Sequence, residues 1–405
     1  MPYYFRLGNI PQKRHTQFRR PDGGLYQEEV IGAEGFSGIS SIAYHIHPPT
    51  LVERIEDPIP YSVEYVDEDF LRHRHIRGGH LSAGGDWITG RRYIMGNADV
   101  RLALCRPKQA MEVFYKNATC DELIFVHEGE GTLETPLGDV SFTKGDYVHV
   151  PRTLTHKWVF TGEQTPHLLV IEADFEIRFP KKYRNEFGQL LEHSPYCERD
   201  IRPPAELKTY DEEGEFEVRI KKHGYLHRFV YRYHPFDVVG WDGYMYPYAI
   251  SIHDFEPITG RIHQPPPVHQ MYAGKNFVVC SFVPRKFDYH PLSIPAPYNH
   301  SNIDSDEVLF YAEGEFMSRK GIERGSFTLH PGGIPHGPHP GTYEGSIGKE
   351  GTDELAVMVD TFRPLKLTRT ALELEDKEYA YSWKPEVFGQ TGSNGKASTE
   401  VDAGG

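Results

Sequence analysis

A mostly β architecture built as two homologous halves is predicted by three observations: a turn-rich and aromatic-rich composition, strand-like alternation in two separate regions, and an internal repeat. The chain has 405 residues, with 13% aromatics, 39 glycines and 31 prolines. That length accommodates two ordinary domains, and that composition favours many short strands joined by turns over long helices. Alternation is clearest in "GTLETPLGDVSFTKGDYVHVP", where Gly and Pro punctuate β-branched and aromatic segments, and a second such region runs from about Tyr244 to Thr361. Between them "CERDIRPPAELKTYDEEGEFEVRIKKHG" reads as a charged linker with a short helix, and "GQTGSNGKASTEVDAGG" at the C-terminus reads as a disordered tail. The expected division is an N-terminal half over 1–190, a linker over 191–233, a C-terminal half over 234–388 and a tail over 389–405.

The bulk properties exclude several classes of partner. A formal charge of -14 argues against nucleic acid or an anionic membrane face, because either needs a basic patch. The four cysteines, Cys105, Cys120, Cys197 and Cys280, lie far apart with no CxxC spacing, so neither a disulfide framework nor a zinc knuckle is predicted and a cytoplasmic setting is expected. The N-terminal "MPYYFRLGNIPQKRHTQFRR" lacks an apolar signal core, and no run of about 18 apolar residues is present to span a bilayer. Glycosylation-like triplets at Asn117 and Asn299 are therefore taken as chance.

The repeat carries the chemistry. "YKNATCDELIFVHEG" (Tyr115 to Gly129) aligns with "HSNIDSDEVLFYAEG" (His300 to Gly314), with Asn, Asp-Glu, an apolar strand and Glu-Gly in step. Downstream, "GDYVHVPRTLTH" (Gly145 to His156) aligns with "GSFTLHPGGIPH" (Gly325 to His336), with Gly, Pro and the final His in register. Self-similarity at a long offset means two copies of one structural unit. These strings resemble the paired motifs of the cupin superfamily, in which a carboxylate precedes a glycine by seven residues and Gly, Pro and His follow. The resemblance implies a bicupin: two antiparallel cupin-type β-barrels or jelly rolls with short helices. Closing a sheet into a barrel also removes exposed edges, which suits the strand pattern.

In such a barrel His300, Glu307 and His336 can converge on one cation. Two imidazoles and one carboxylate leave open positions, the arrangement suited to non-haem Fe(II). The corresponding N-terminal positions are Tyr115, Glu122 and His156, so one imidazole has become a phenol, and that half is expected to have lost its metal and kept its fold. Taken singly, a lone His is more often structural than a ligand and an acidic cluster is usually solvated. The joint spacing reverses those odds for the C-terminal half only.

"HPFDVVGWDGYMYPY" (His234 to Tyr248), "PAPYNH" (Pro295 to His300) and "TLHPGGIPHGP" (Thr328 to Pro338) are similar to segments of the homogentisate 1,2-dioxygenase family, and weaker similarity continues through "ELAVMVDT". The resemblance implies that His300, Glu307 and His336 are metal ligands and that His263, followed by Pro266 and Lys275, is the catalytic base. It further implies that His330 is an active-site histidine and that Tyr298 and Phe316 lie at substrate-contacting positions. Two departures stand out. Six residues rather than five separate His300 from the carboxylate, so Asp306 takes the family spacing; Glu307 is preferred because it keeps register with Glu122 and Gly314. The family tyrosine nine residues after the acidic ligand is Phe316, which removes a hydrogen bond worth about 1.5–3 kcal/mol to a charged acceptor.

The expected function is Fe(II)-dependent, extradiol-type cleavage of a para-dihydroxylated arene by dioxygen, with homogentisate converted to maleylacetoacetate in aromatic amino acid catabolism as the resemblance implies. Gentisate or a substituted hydroquinone is the alternative substrate. A metal-dependent cupin isomerase and a non-catalytic bicupin are the alternatives of other classes, separated by oxygen uptake and by metal content. A homo-oligomer is implied by resemblance. His253, His269 and the His45-Ile46-His47 and His73-Arg74-His75 triplets are expected to face solvent.

Overall fold

Strands dominate the computed structural model, which describes residues 3–67, 70–314, 316 and 321–384. Two seven-stranded sheets form the body. One runs Tyr248–Ser251, Asp146–Val150, Cys120–Glu128, His167–Asp174, Val100–Cys105, Arg91–Gly96, Lys366–Leu367. The other runs Gln270–Gly274, Phe277–Phe282, Leu355–Thr361, Asp306–Glu313, Phe327–His330, Arg74–Ile76, Glu375–Asp376. Every ladder in both is antiparallel. This is the predicted mostly β bicupin, with helices of only a turn or so.

The strand Cys120–Glu128 is buried along nearly its whole length, which explains its unbroken apolar run Leu123–Val126. Each such side chain contributes roughly 1.5–3 kcal/mol on burial. Its twin is Asp306–Glu313. Both strands end at a glycine with positive φ, Gly129 at +109° and Gly314 at +89°, and a Cβ on Gly314 would lie 2.4 Å from the Asp353 carbonyl oxygen. The glycine that closes each repeat is therefore required by backbone geometry.

The repeat extends to individual hydrogen bonds. Asp121 accepts from the backbone N–H groups of Arg152 and Ile177, and Asp306 accepts from those of Gly332 and Leu365. Arg152 and Gly332 are equivalent positions of the second motif. Isolated antiparallel bridges join Tyr115 to His156 and His300 to His336, so in each barrel the first and last motif positions are fastened together by backbone.

Two expectations about organisation are overturned. The span 191–233 is not a linker: Glu213–Lys222 and Tyr225–Tyr233 form a long hairpin, turned at His223 (φ 51°) and Gly224 (φ 78°). Its charged residues pair across strands, as Arg228 does with Glu217 at 2.9 Å, so charge that reads as solvated sequence stabilises a sheet. The halves also do not divide at 190 and 234. Strands Val238–Gly243 and Tyr248–Ser251 belong to N-terminal sheets, Arg74–Ile76 is a strand of the C-terminal sheet, and Lys366–Leu367 returns to the N-terminal one. A single apolar core contains residues of both barrels, including Phe125, Tyr147, Tyr272 and Phe310. The 389–405 tail lies outside the described residues.

Inside the N-terminal barrel, the guanidinium of Arg91 lies between Glu122, at 2.7 Å, and Glu172, and is itself fully buried. Glu172 also receives Lys221 Nζ, from the hairpin, and the Tyr93 hydroxyl at 2.8 Å. Burial opposes ionisation of Glu172, but Lys221, Arg91 and Arg101 together hold it well below the usual carboxylate range. Asn117 and Tyr115 complete the contacts of Glu122. Asn117 is 2% exposed, which closes its glycosylation-like triplet to modification. Arg91→Met leaves buried Glu122 without a cation while Glu172 keeps Lys221, and is expected to lower unfolding free energy by about 3–5 kcal/mol, checked by denaturant titration; an unchanged midpoint contradicts the role.

His45, expected at the surface, is buried between Asp237 Oδ1 at 2.7 Å and Glu29 Oε2 at 3.2 Å. Burial disfavours its charge, but hydrogen bonds to Asp237 and Glu29 prevail and raise its pKa from 6.5 to about 9. A raised folded-state value stabilises the fold fully below the ordinary pKa, and that contribution is lost as pH rises through about 9. The pair is worth roughly 3 kcal/mol in that limit. His45→Gln should therefore cost most near pH 6 and little near about pH 10, measured by urea midpoints. A pH-independent difference would contradict it.

Candidate metal centre

Glu307 is the first residue of its strand to point into the C-terminal barrel. Asp306 faces the opposite way and is consumed by the two backbone N–H groups it binds, as Asp121 is in the other half. Successive strand residues alternate faces, so only one of the two acids can reach the interior. The structure brings that one, Glu307, to the histidines: Oε2 stands 3.5 Å from His300 Nε2 and 3.4 Å from His336 Nε2. The ligand-capable atoms of His300, Glu307 and His336 all lie within 4.8 Å of one another.

Each member is oriented by a separate contact. The Tyr298 carbonyl oxygen lies 3.2 Å from His300 Nδ1, so Nδ1–H donates there and Nε2 keeps its lone pair for the centre. His330, directly across the ladder from Glu307, places Nδ1 2.8 Å from Glu307 Oε1. Its Nε2 lies 3.1 Å from the Tyr379 hydroxyl, and its ring stacks on His336 at 4.6 Å. His330 thus holds one carboxylate oxygen while the other faces the centre, which makes it a positioning residue. Burial would raise the Glu307 pKa, but the imidazoles of His300, His330 and His336 facing it hold it well below the usual range.

The donor set fits a cation. His336 is 3% exposed, yet neither ring nitrogen has a hydrogen-bond partner, an arrangement costly for a neutral imidazole and satisfied by a metal at Nε2. Donors about 2.0–2.2 Å from one ion stand about 3–3.5 Å apart, close to the separations found. In the N-terminal barrel the corresponding carboxylate, Glu122, meets Arg91 instead, and His156 Nε2 remains 3.9 Å from it. A guanidinium carried by the chain itself thus meets the N-terminal carboxylate.

A cavity of about 130 Å³ opens beside His300 and Glu307, with His263, His269, Phe282 and Arg285 also in its wall. An apolar cavity of about 150 Å³ suffices for benzene. His263 is a third exposed, with Nδ1 4.0 Å from Asp288 Oδ2 and the Tyr298 ring edge-on at 4.9 Å. Phe316 is elsewhere: its ring packs against Tyr311 at 4.5 Å and does not line the cavity, so its expected substrate contact is not found.

Several residues near the centre escaped sequence reasoning. Asp360 lies across the ladder from Glu307, as Glu172 lies across from Glu122. Burial and the Glu307 charge push its carboxyl well above the usual range. Only strand register, counted through "ELAVMVDT", could have found it. His73 packs edge-on against His330 at 5.3 Å and against His336 at 5.9 Å, and His75 is buried beside Asp376. Both come from a triplet expected in solvent, and His269, also expected there, is buried; His253 alone of that group is exposed, while His47 stacks on Tyr233.

A model described as homogentisate 1,2-dioxygenase N-terminal matches residues 78–252. A candidate dioxygenase of Saccharolobus solfataricus is 42% identical over 387 residues, covering 95% of this chain and 99% of that protein. Homogentisate 1,2-dioxygenase of Rhizobium etli is 27% identical over 93% of this chain and 89% of its own, and that of Emericella nidulans 22% over 92% and 90%. A cupin 2 conserved barrel domain protein from Leptotrichia buccalis covers 75% of this chain and all of its own at 9% identity, with a TM-score of 0.31. From the repeat, the ligand geometry and the near full-length match together, the chain belongs to the homogentisate 1,2-dioxygenase family.

Proposed function

We propose that the protein is an Fe(II)-dependent dioxygenase that cleaves the ring of a para-dihydroxylated arene, with homogentisate converted to maleylacetoacetate. The convergence of His300, Glu307 and His336 beside a ring-sized cavity is the observation that carries this assignment. When bound there, Fe(II) supplies Lewis acidity toward a phenolic hydroxyl and redox capacity toward dioxygen. The reaction balances without an external reductant: the bond between the substituted ring carbon and its hydroxylated neighbour breaks, and both atoms of dioxygen enter the product.

The chain's own groups supply positioning and proton handling. His263 stands in the cavity wall with Asp288 Oδ2 4.0 Å from its Nδ1, so its imidazole can take a hydroxyl proton and return it to the opened chain. His330 and the Tyr298 carbonyl keep Glu307 and His300 in a single orientation, which limits the reorganisation needed when substrate arrives. The apolar wall, with Phe282, Leu309 and Met358, excludes water from the ring.

Ligand roles are separable by iron analysis. Glu307→Gln and His336→Ala should abolish tight iron binding, and His330→Phe should weaken it about 10–100-fold. Asp306→Asn should retain iron while losing about 1–3 kcal/mol of stability, because a backbone N–H loses its charged acceptor. Iron retained by His336→Ala contradicts the ligand set. With iron-loaded protein in an oxygen electrode, homogentisate should consume one equivalent of dioxygen, and gentisate and methylhydroquinone rank the alternatives. No uptake with any diphenol contradicts ring cleavage.

A further inference from the structure

His269 is 6% exposed, its Nδ1 has no hydrogen-bond partner, and its imidazole lines the cavity that His300 and Glu307 also line. A buried polar ring left in this state is costly unless something in the cavity completes it. The chain fixes it firmly: His269 closes a short 3-10 turn, Pro266–His269, that follows Pro265, and the strand Gln270–Gly274 begins at once. Phe282 lies against it with ring centroids 4.6 Å apart, and the Arg285 guanidinium packs 5.5 Å from the same Phe282 ring.

Arg285 is equally constrained. Its backbone pairs with Thr352, and its Nη1 donates to the Val283 carbonyl at 3.0 Å. The nearest carboxylate contact is long, Nη2 to Glu354 Oε2 at 3.6 Å, beyond an ordinary charge-assisted hydrogen bond. Burial, then the charges of Arg285 and His263, push the His269 pKa down to about 3, so the imidazole is neutral and keeps one N–H to donate.

We propose that Arg285 and His269 are the specificity-determining pair of this cavity and bind the carboxylate of an anionic side chain on the aromatic substrate. The proposal rests on the ring-cleavage assignment for the orientation of the arene, with its hydroxyl at His300 and Glu307 and its side chain toward Phe282. Arg285 gives the carboxylate a charge-assisted hydrogen bond, and His269 gives the second oxygen an N–H. An uncharged side chain offers neither group a charged acceptor, and a hydrogen bond to a charged group converts to roughly a 10- to 100-fold preference.

Phenylacetate and its neutral amide, phenylacetamide, separate this proposal from the reaction, because neither ring can be cleaved. Titrated calorimetrically into iron-loaded wild-type protein, phenylacetate should bind roughly 10- to 100-fold more tightly than phenylacetamide. Arg285→Leu should erase the preference, Arg285→Lys should restore part of it, and His269→Phe should reduce it. Equal binding of the two ligands, binding of neither, or a preference that survives Arg285→Leu overturns the pair. The wild-type comparison decides even if a variant fails to fold. Oxygen uptake with homogentisate and methylhydroquinone reads the other assignment: a carboxylate preference without uptake leaves the pair standing and removes ring cleavage, and uptake without a preference does the reverse.

Discussion

A carboxylate placed inside a barrel must be met by positive charge or by protons, and both halves of this chain are organised around that constraint. Glu122 and Glu307 occupy the same register on equivalent strands, each followed seven residues later by a glycine of positive φ. One is answered by Arg91, a cation carried by the chain itself. The other is answered by three imidazoles from two segments, which can share the charge with an ion. The two barrels therefore differ in whether the chain itself carries a guanidinium to meet the carboxylate.

Support around the candidate metal centre comes from backbone and from residues outside the trio of His300, Glu307 and His336. The bridge between His300 and His336 fixes their backbones to one another, Tyr298 turns one ring, and His330 with Tyr379 behind it holds the carboxylate. Three ligands from flexible loops would each bring conformational freedom to be lost on binding. Here most of it is already lost in folding, so the site is organised ahead of the ion.

The barrels and the convergence of His300, Glu307 and His336 were legible because the strands that bear them keep register: a seven-residue step from Glu to Gly and a six-residue step from His330 to His336 are local facts of sequence. The alternation that separates Asp306 from Glu307 was legible too, once the equivalence to Asp121 and Glu122 was seen. What sequence hid were partnerships between distant positions. His45 looks like a surface histidine until Asp237 closes on it, and the charges of 213–233 look solvated until Arg228 meets Glu217 across a hairpin. Phe316 was misplaced for the converse reason, since a motif position fixes distance along the chain and not the direction in which a side chain leaves it.

The exchange of strands between the halves bears on how the chain comes to be folded. Arg74–Ile76 emerges from synthesis long before Phe327–His330, the strand beside which it must lie, and Lys366–Leu367 completes the earlier sheet only near the end. The first barrel consequently waits with an open margin until translation is almost finished. Duplication is written in the sequence as two successive copies, but each sheet borrows a strand from the other half, so neither copy is a self-sufficient body.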